Sequence, residues 1–489
     1  MARVAGLHLS VRRHFAGRLR RWLLLLALGL SVCALLLVSG ADYERYLAHS
    51  GRPLEAYPAL SLDGVERLLV LAPHCDDEVL SAGGLIRAAL EDGLDVRVVI
   101  VTAGDSYTRA ARAEVRRRHL SYRDYIRLAE VRQRESLDGL MRLGLPSDHV
   151  IFLAYPEQGL APMWWDHWEA DRPFRSRYTG RERVEYEQAA SFGAPHCGAA
   201  LLVDLRLLLR RYRPDLIVMP HPNDTHTDHR TLSVFTLMAV ELERAADPTL
   251  RPRLLASLVH YGLYPQPFGL RPGLPLTPPR RLEALGEWVQ WRLSPEQVAA
   301  KREALAAYRS QLRVSGYYLH AFVRQNEPFM QVDEVVALGY LESQAFEDPN
   351  GVPTPPAGIP MPELGDPVSD SVLRRVAADA DIAGLRAVRL GDRVWVAVQL
   401  RGRAVRAYDY RLYVRSFTPE ATTTWSARYG RSISDGVQVV GHTIWFPLDL
   451  EALGQPTWLA LAAETRQGVV LDQTAWVVLR LEEAPWEAQ

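Results

Sequence analysis

Cysteine and net charge are both scarce in this sequence. Three cysteines occur in 489 residues, Cys33, Cys75 and Cys197. Cys33 lies in an apolar run, so the sequence indicates no disulfide framework. A bridge between Cys75 and Cys197 is conceivable, but we do not expect one, because Cys75 lies in a loop of candidate metal ligands. The formal net charge of −1 gives no support for nucleic-acid binding, and we expect no nucleic-acid partner.

One long and strongly apolar stretch lacks charge. Trp22 to Val38 is uncharged, and at ~1.5 Å per residue this run and its small flanking residues nearly span a ~30 Å hydrocarbon core. Arginines precede it, which favours a cytoplasmic N-terminus. We therefore predict a basic cytoplasmic segment at 1–21, a transmembrane anchor at 22–40 and a membrane-anchored protein whose catalytic domain is exported (periplasmic or extracytoplasmic). A cleaved signal peptide is the alternative.

Residues 67–104 organise the rest of the chain. Apolar runs at 68–72 and 96–101 predict two buried parallel strands, with a helical pattern between them. This order predicts a right-handed crossover in an α/β sheet. The loop after the first strand holds His74, Asp76, Asp77 and Glu78, and open α/β folds place their sites at this end of the strands.

The residue types in this loop indicate metal chemistry. His74 and Asp77, three positions apart at a helix start, can face one cation, and such a nitrogen and oxygen set suits Zn²⁺ or a similar divalent metal. The adjacent Asp76 and Asp77 point in different directions, so one of them can bind the metal while the other serves as a base for metal-bound water. The alternative is that carboxylates favour a helix N-terminus, which accounts for one or two acids but not for His74.

A second cluster follows another predicted strand. Residues 213–220 predict a buried strand, and HPNDTHTDHR follows at 221–230 with three histidines and two aspartates. A solvated polar loop is the alternative, but such a loop has no reason to concentrate histidine. Because both clusters follow strand ends, we expect them to meet at one edge of the sheet.

These motifs resemble a known family. PHCDDE at 73–78 resembles the (A/P)HPDDE motif of the PIG-L/LmbE family of zinc-dependent N-acetylglucosaminyl de-N-acetylases, and HPNDTHTDH at 221–229 resembles its PxDxHxDH motif. Arg132 and Glu135 resemble the R-x-x-E of a family helix, and 308–311 resembles a late Y-x-SQ helix. The resemblance spans about residues 67–340. It implies a Rossmann-like, doubly wound, mostly parallel sheet.

The resemblance also implies roles for residues. Zinc would be bound by His74, Asp77 and His229, although Fe²⁺ or Mn²⁺ could occupy the same ligands. Asp76 would be the general base, and His226 would polarise the carbonyl or protonate the leaving amine. Asp228 would orient His226. Asp224 occupies a position where some members have a tyrosine that assists the oxyanion, and Cys75 stands where the family has proline.

Substrate selection is expected from the region after the third strand. Residues 155–199 are irregular and include Trp164 and Trp165, whose rings can stack on sugars; packing within the loop is an equal alternative. Arg132 is a further candidate substrate contact. Residues 109–118 are strongly basic, which suits a solvated helix face better than an anionic substrate or a phospholipid head group.

The C-terminal part changes character. Residues 347–370 are proline-rich, and short runs of period two follow, which predicts an all-β sandwich. The expected organisation is a connector at 41–63, a deacetylase-like domain at 64–346, a linker at 347–370 and a β-sandwich at 371–489.

The sequence therefore predicts a de-N-acetylase. We expect it to act on an N-acetylglucosamine-type sugar of an envelope glycolipid or polysaccharide and to release acetate. One alternative is a zinc amidohydrolase acting on a non-sugar N-acyl substrate. The other is a non-catalytic protein that binds glycans or metal.

Overall fold

The computed structural model describes residues 54–341, 363–366, 377–418 and 421–485. The predicted segments 1–21 and 22–40 lie outside these ranges, as do most of the connector and most of the linker. In the described ranges, no helix combines the length and the apolar character needed to cross a membrane. Residues 55–489 form one compact unit, which is described below.

The predicted α/β sheet is present and has seven strands. Their order is β3-β2-β1-β4-β5-β7-β6. The first five strands in this order are parallel to one another, whereas β7 is antiparallel to β5 and to β6. The strands are β1 (Arg67–Ala72), β2 (Asp95–Thr102), β3 (Val150–Tyr155), β4 (Leu216–Pro220), β5 (Arg253–Ser257), β6 (Trp288–Arg292) and β7 (Asn326–Val332).

Helices cover both faces of this sheet. Leu68 and Val70 of β1 belong to one core cluster, while Leu69 and Leu71 belong to the other. Both faces of β1 are therefore buried, which is why its sequence shows no alternation of polar and apolar residues. The helices are α1 (Asp77–Glu91), α2 (Thr108–Val115), α3 (Tyr122–Leu143), α4 (Leu160–Trp165), α5 (Gly198–Tyr212), α6 (Thr227–Ala246), α7 (Arg280–Glu283), α8 (Pro295–Leu305) and α9 (Arg309–Leu319).

The strand order brings the two predicted clusters together. β1 lies between β2 and β4, and Val70 is paired with Val218. The chain leaves β1 toward β2 on one side, while β4 and β5 extend the sheet on the other. The loops after β1 and β4 therefore meet at the switch point of a doubly wound sheet, where such folds bind their ligands.

The C-terminal part is a second, mostly antiparallel sheet of eleven strands. Its main path is β13-β12-β16-β18-β8-β10-β11-β15-β14, with β17 on β16 and β9 on β10. The two halves of this continuous sheet share one hydrophobic core, whereas two separate sheets were expected. The strands are β8 (Val336–Leu341), β9 (Glu363–Gly365), β10 (Ile382–Leu390), β11 (Arg393–Leu400), β12 (Asp409–Phe417), β13 (Thr422–Tyr429), β14 (Gln438–Val440), β15 (Thr443–Asp449), β16 (Trp458–Gln467), β17 (Val469–Gln473) and β18 (Val477–Pro485).

The change from one sheet to the other comes earlier than the expected boundary at 346. β7 ends at Val332 in the first sheet, and β8 begins at Val336 between β18 and β10 of the second. The prolines after 346 predicted the boundary from composition. The pairing of β8 depends instead on strands that lie far along the chain.

Candidate metal centre

The loop after β1 has a strained backbone at Asp76. Its φ of 136° lies in a region that residues other than glycine seldom adopt, at a cost of roughly 1–3 kcal/mol. The buried carboxylate of Glu78 accepts a hydrogen bond from the Asp76 backbone N–H at 2.9 Å. Tyr308 donates its hydroxyl to the other oxygen of Glu78 at 2.7 Å. The third acid of the loop thus holds the strained turn.

Three candidate ligand atoms converge beside this turn. Nδ1 of His74 lies 3.0 Å from Oδ2 of Asp77. That same oxygen lies 3.0 Å from Nε2 of His229, and the two histidine nitrogens are 3.2 Å apart. Ligands at about 2.0–2.1 Å from a tetrahedral Zn²⁺ lie about 3.4 Å from one another. A small expansion of this triangle would therefore accommodate a divalent cation.

Each histidine of the triangle is held from behind by a buried carboxylate. Nε2 of His74 lies 3.1 Å from Oδ2 of Asp228, and Nδ1 of His229 lies 3.1 Å from Oδ2 of Asp224. Such carboxylates fix the tautomer of a metal-binding histidine and aim its lone pair. Burial lowers the pKa of His229, but Asp224 and Asp77 outweigh this effect and raise it to about 9. The residues fit a divalent metal both in donor type and in support.

The Asp228 carboxylate does not have its expected role. The Asp228 carboxylate contacts His74 and accepts the backbone N–H groups of Gln158 and Leu160. Only its backbone N–H reaches His226, 3.2 Å from Nδ1. The expected orientation of His226 by this carboxylate is therefore wrong, because the carboxylate points toward the triangle.

Asp224 is a support for His229 rather than a contact for substrate. The Asp224 side chain is fully buried and accepts the backbone N–H groups of Val259 and His260 at 3.2 and 2.9 Å. Its position before His226 in sequence suggested the oxyanion, but its carboxylate faces the back of the histidine ring.

A cavity of about 220 Å³ opens beside the triangle. Asp76 lines it, and burial raises the pKa of Asp76 to about 8 although Arg132 acts in the opposite direction. The lining residues are His74, Asp76, Asp77, Leu80, Tyr107, Arg132, Glu157, His226, His260, Gln311, Ser315, Tyr318 and Leu319.

His226 faces this cavity in a defined tautomer. Burial and the neighbouring His74 lower the pKa of His226 to about 4, so its ring is neutral. Nδ1 accepts the backbone N–H of Asp228. A neutral imidazole carries one proton, so that proton lies on Nε2. His226 is therefore a hydrogen-bond donor at Nε2.

Arg132 lines the cavity, but protein groups use the donors of its Nη1 and Nη2. Its guanidinium donates to the carbonyl oxygens of Gly104 and Cys75 at 3.2 and 2.9 Å and to Glu157 Oε2 at 3.2 Å. Nη2 also lies 3.4 Å from Oδ1 of Asp76. Arg132 thus braces the candidate base and the loop beside it, in addition to any contact with substrate.

Trp164 and Trp165 lie away from the cavity. Trp164 is 1% exposed, and its ring packs against Phe235, Phe417 and Trp476. Trp165 packs against Tyr413 and Trp476 of the second sheet. Their positions do not support the expected stacking on a sugar, because the C-terminal domain covers both rings.

His260 is a candidate site residue that the sequence motifs did not identify. It follows β5, and its ring is stacked on Tyr318 with centroids 5.9 Å apart. Tyr318 donates its hydroxyl to the Val259 carbonyl at 2.6 Å and lies 3.2 Å from His260 Nδ1. Nδ1 therefore donates, which leaves Nε2 as an acceptor. His260, Asp77 and His229 each offer an atom within 4.8 Å of the others. The sequence feature that could have identified His260 is its position shortly after β5, the strand that pairs with β4.

Cys75 and Cys197 are both free and buried, so the expected absence of a bridge between them is confirmed. Burial raises the pKa of the Cys75 thiol. A buried thiol of this kind is a poor source of thiolate. The departure from proline at this position therefore adds no competing ligand to the triangle.

The fold and the site define an α/β protein with a candidate metal centre at the switch point of its sheet. A family profile described as "PIG-L: GlcNAc-PI de-N-acetylase" matches residues 69–240. The segment that contains both motifs therefore matches the PIG-L family profile, and the resemblance inferred from the motifs is confirmed.

Individual relatives are more distant. The 1D-myo-inositol 2-acetamido-2-deoxy-alpha-D-glucopyranoside deacetylase 1 of Catenulispora acidiphila is 27% identical over 208 residues, which cover 42% of this chain and 56% of that protein. The chain thus spans little more than half the length of this curated relative.

Two solved structures give weaker matches. The N,N'-diacetylchitobiose deacetylase of Pyrococcus horikoshii matches with a TM-score of 0.35 and 18% identity over 60% of this chain and 92% of that chain. The A40926 pseudoaglycone deacetylase matches with a TM-score of 0.36 and 21% identity over 55% and 98% of the two chains.

Proposed function

We propose that this protein is a metal-dependent de-N-acetylase that hydrolyses the acetamide of an N-acetylglucosamine-type sugar. The observation that carries the proposal is the triangle of His74, Asp77 and His229, with a carboxylate behind each histidine, next to a cavity that also holds Asp76 and His226. Family membership supports the reaction class. The curated relative, whose printed name specifies a 2-acetamido sugar, supports the substrate class.

The triangle would hold Zn²⁺ or another divalent cation. When bound, the cation would supply Lewis acidity for a carbonyl oxygen and would acidify water. The chain's own contribution is to keep His74 in the ligating tautomer through Asp228 and to place the Asp224 carboxylate 3.1 Å behind Nδ1 of His229. This arrangement also leaves one side of the triangle open to the cavity.

Asp76 is the residue we assign as general base. It is next to Asp77 in sequence but lines the cavity, and its strained backbone gives it this different direction. Arg132 is 3.4 Å from Oδ1 and acts against the rise in pKa that burial causes at Asp76, so it supports the ionised form that accepts a proton from water. The base is thus poised to activate a nucleophile within the cavity.

His226 is the residue we assign to the developing oxyanion. A neutral imidazole with its proton on Nε2 can donate a hydrogen bond to the carbonyl oxygen as negative charge grows. Of the two roles that the family resemblance allows, this tautomer favours polarisation of the carbonyl. Protonation of the leaving amine then falls to Asp76, which carries the proton taken from water.

The cavity suits a single sugar unit. Its volume of about 220 Å³ is smaller than the roughly 300–1,000 Å³ of pockets for drug-sized ligands. We therefore expect the acetamide and one ring to enter, while the rest of a glycan or glycolipid stays outside. An envelope glycolipid or polysaccharide remains our proposed source of that sugar.

The test is acetate release by the purified full-length protein of known metal content. The substrates are N-acetylglucosamine-containing glycans and glycolipids, with non-sugar N-acyl amides as the competing class. We expect acetate to be released from the sugar substrates only when metal is bound. The Asp76→Asn variant should lose this activity but keep its affinity for the metal. Asp148→Asn, which changes an exposed carboxylate, is the matched control.

Each other outcome points to an alternative. Release only from non-sugar amides would favour the broader amidohydrolase. Metal binding with no release from any amide, together with full cellular function of Asp76→Asn, would favour a non-catalytic binding protein.

We also propose that residues 22–40 anchor the chain and that the catalytic domain is exported. The support is the arginine-rich segment followed by an uncharged run. In cells whose outer barrier has been opened while the inner membrane stays closed, a C-terminal tag should be accessible to externally added protease. Protection of the tag under those conditions would contradict this orientation.

A further inference from the structure

A dense cluster of exposed arginines lies on α2, the start of α3 and the turn between them. Residues 108–127 contain seven arginines and two acids, Glu114 and Asp124, and the whole chain has a formal net charge of −1. In the described ranges, Arg117 is the one member with an ion pair, at 3.8 Å from Asp124. The exposed arginines are Arg109, Arg112, Arg116, Arg117, Arg118, Arg123 and Arg127.

Helix α9 continues this charged face. Arg309, Arg313 and Tyr317 are exposed at positions four residues apart, so they lie along one side of the helix. Arg313 donates to the Ala113 carbonyl of α2 at 3.2 Å. The stripe on α9 is therefore next to the arginine cluster.

An exposed apolar loop is hydrogen-bonded to α9. Leu263, Leu270 and Leu274 are 65%, 44% and 41% exposed, and Tyr317 is 70% exposed. The loop is attached to α9 because Gly269 donates its N–H to the Tyr317 carbonyl at 2.7 Å. We call the arginine cluster, the α9 stripe and these three leucines together the rim surface.

The rim surface lies beside the cavity of the candidate metal centre. Tyr107, which precedes α2, and Ser315 of α9 both line the cavity, and their hydroxyls are 2.8 Å apart. The elements that carry the exposed arginines and Tyr317 therefore also form one wall of the cavity. Whatever binds the rim surface is held next to the cavity.

We propose that the rim surface docks on a bilayer that contains anionic phospholipids. The arginines would contact lipid phosphates, and the exposed leucines with Tyr317 would enter the interface. A soluble anionic glycan would account for the arginines, but it gives no reason for three exposed leucines beside them. This inference concerns a docking surface and stands independently of the proposed reaction.

The test uses the full chain reconstituted in two kinds of vesicle, one of phosphatidylcholine alone and one that also contains phosphatidylglycerol. Hydrogen exchange is followed in peptides that cover 262–276 and 108–120. We expect slower exchange in both segments with the anionic vesicles, and no slowing at ~1 M salt, where charges are screened within about 3 Å. Because both vesicle types hold the same full chain, the comparison isolates the contribution of lipid charge.

Variants identify the arginines as the cause. The triple change Arg116→Gln, Arg117→Gln and Arg118→Gln should weaken docking by on the order of 100-fold, at about fivefold for each arginine near an anionic surface. A matched triple change of Arg403, Arg406 and Arg431 to Gln, at exposed positions in loops that connect strands of the second sheet, should leave it unchanged. Exchange of both triple variants in neutral vesicles reports whether they fold normally.

Three outcomes would overturn the proposal. The first is equal exchange in the two vesicle types. The second is slowing in anionic vesicles that survives the Arg116–Arg118 changes. The third is equal slowing when a soluble polyanion is added to neutral vesicles, which would assign the rim surface to an acidic polymer instead.

Discussion

Replacing Asp228 by asparagine tests how the candidate metal centre is held. In the structure, Oδ2 of Asp228 lies 3.1 Å from His74 Nε2 and accepts the Gln158 N–H at 2.6 Å, while Oδ1 accepts the Leu160 N–H at 3.2 Å. An asparagine has one acceptor oxygen and one NH₂ group. Whichever way it is turned, the NH₂ group faces a donor that the carboxylate accepted.

The magnitude follows from this mismatch. If the amide NH₂ faces His74, the ring must move its proton to Nδ1, which is the atom that faces the triangle. Changes of this kind behind a metal ligand cost about 10- to 100-fold in metal affinity, or about 1.4–2.7 kcal/mol. We expect this loss in competition titrations of Zn²⁺ against a chromophoric chelator.

The control is a carboxylate of the same domain that lies away from the triangle. Asp204 accepts hydrogen bonds from the hydroxyls of Tyr155 and Ser191, so Asp204→Asn should lower stability without changing Zn²⁺ affinity. If Asp228→Asn bound Zn²⁺ as tightly as the unchanged protein and lost only turnover, our reasoning would be refuted.

Three further predictions concern stability and the metal. Tyr308→Phe removes the hydroxyl that donates to buried Glu78. It should lower the free energy of unfolding, measured by urea denaturation, by about 1–3 kcal/mol. An equal loss in Tyr122→Phe, which changes an exposed ring, would contradict this reasoning. Trp164→Ala should cost about 3–5 kcal/mol in the same assay while the KM for substrate stays unchanged, and a large rise in KM would revive the sugar-stacking role. Removing the metal with a chelator should lower the thermal midpoint, because a cation at 1,000 times its Kd stabilises the native state by about 4 kcal/mol; an unchanged midpoint in calorimetry would argue against a site in the native fold.

The sequence predicted the part of the site that depends on local order. A buried strand, a loop with His74 and Asp77 and then a helix are all encoded within residues 67–91, so both residue types and positions are readable. The meeting of this loop with the one that holds His229 followed from a general rule for parallel sheets. These features required no knowledge of side-chain direction.

The supporting contacts could not be read in the same way. Whether the Asp228 carboxylate faces His74 or His226 depends on the start of α6 and on backbone N–H groups that follow β3. Periodicity gives the helix but not the direction of a side chain at its first turn. His260 was undervalued for a related reason, since its contact with Tyr318 joins segments 58 residues apart.

The tryptophans show a different limit. The sequence does not distinguish an exposed aromatic ring from a covered one, and the residues that cover Trp164 come from the far end of the chain. Arg415, which is 2% exposed, places its guanidinium 4.2 Å above the Trp168 ring and donates to the Trp165 carbonyl. Sequence patterns indicate that a β-rich domain follows, but not which surface of the first domain it buries.

The position of β8 has a consequence for how the molecule unfolds. This strand follows β7 of the first sheet after three residues, yet it is hydrogen-bonded on both sides within the second sheet. Aromatic residues of both sheets also share one core cluster. A chain cut at 346 would leave β8 with neither neighbour and would expose the rings around Trp164. The two sheets are therefore expected to unfold in a single cooperative transition. A destabilising substitution in the C-terminal sheet would then lower the population of the native state and, with it, the fraction of molecules that have an intact metal centre.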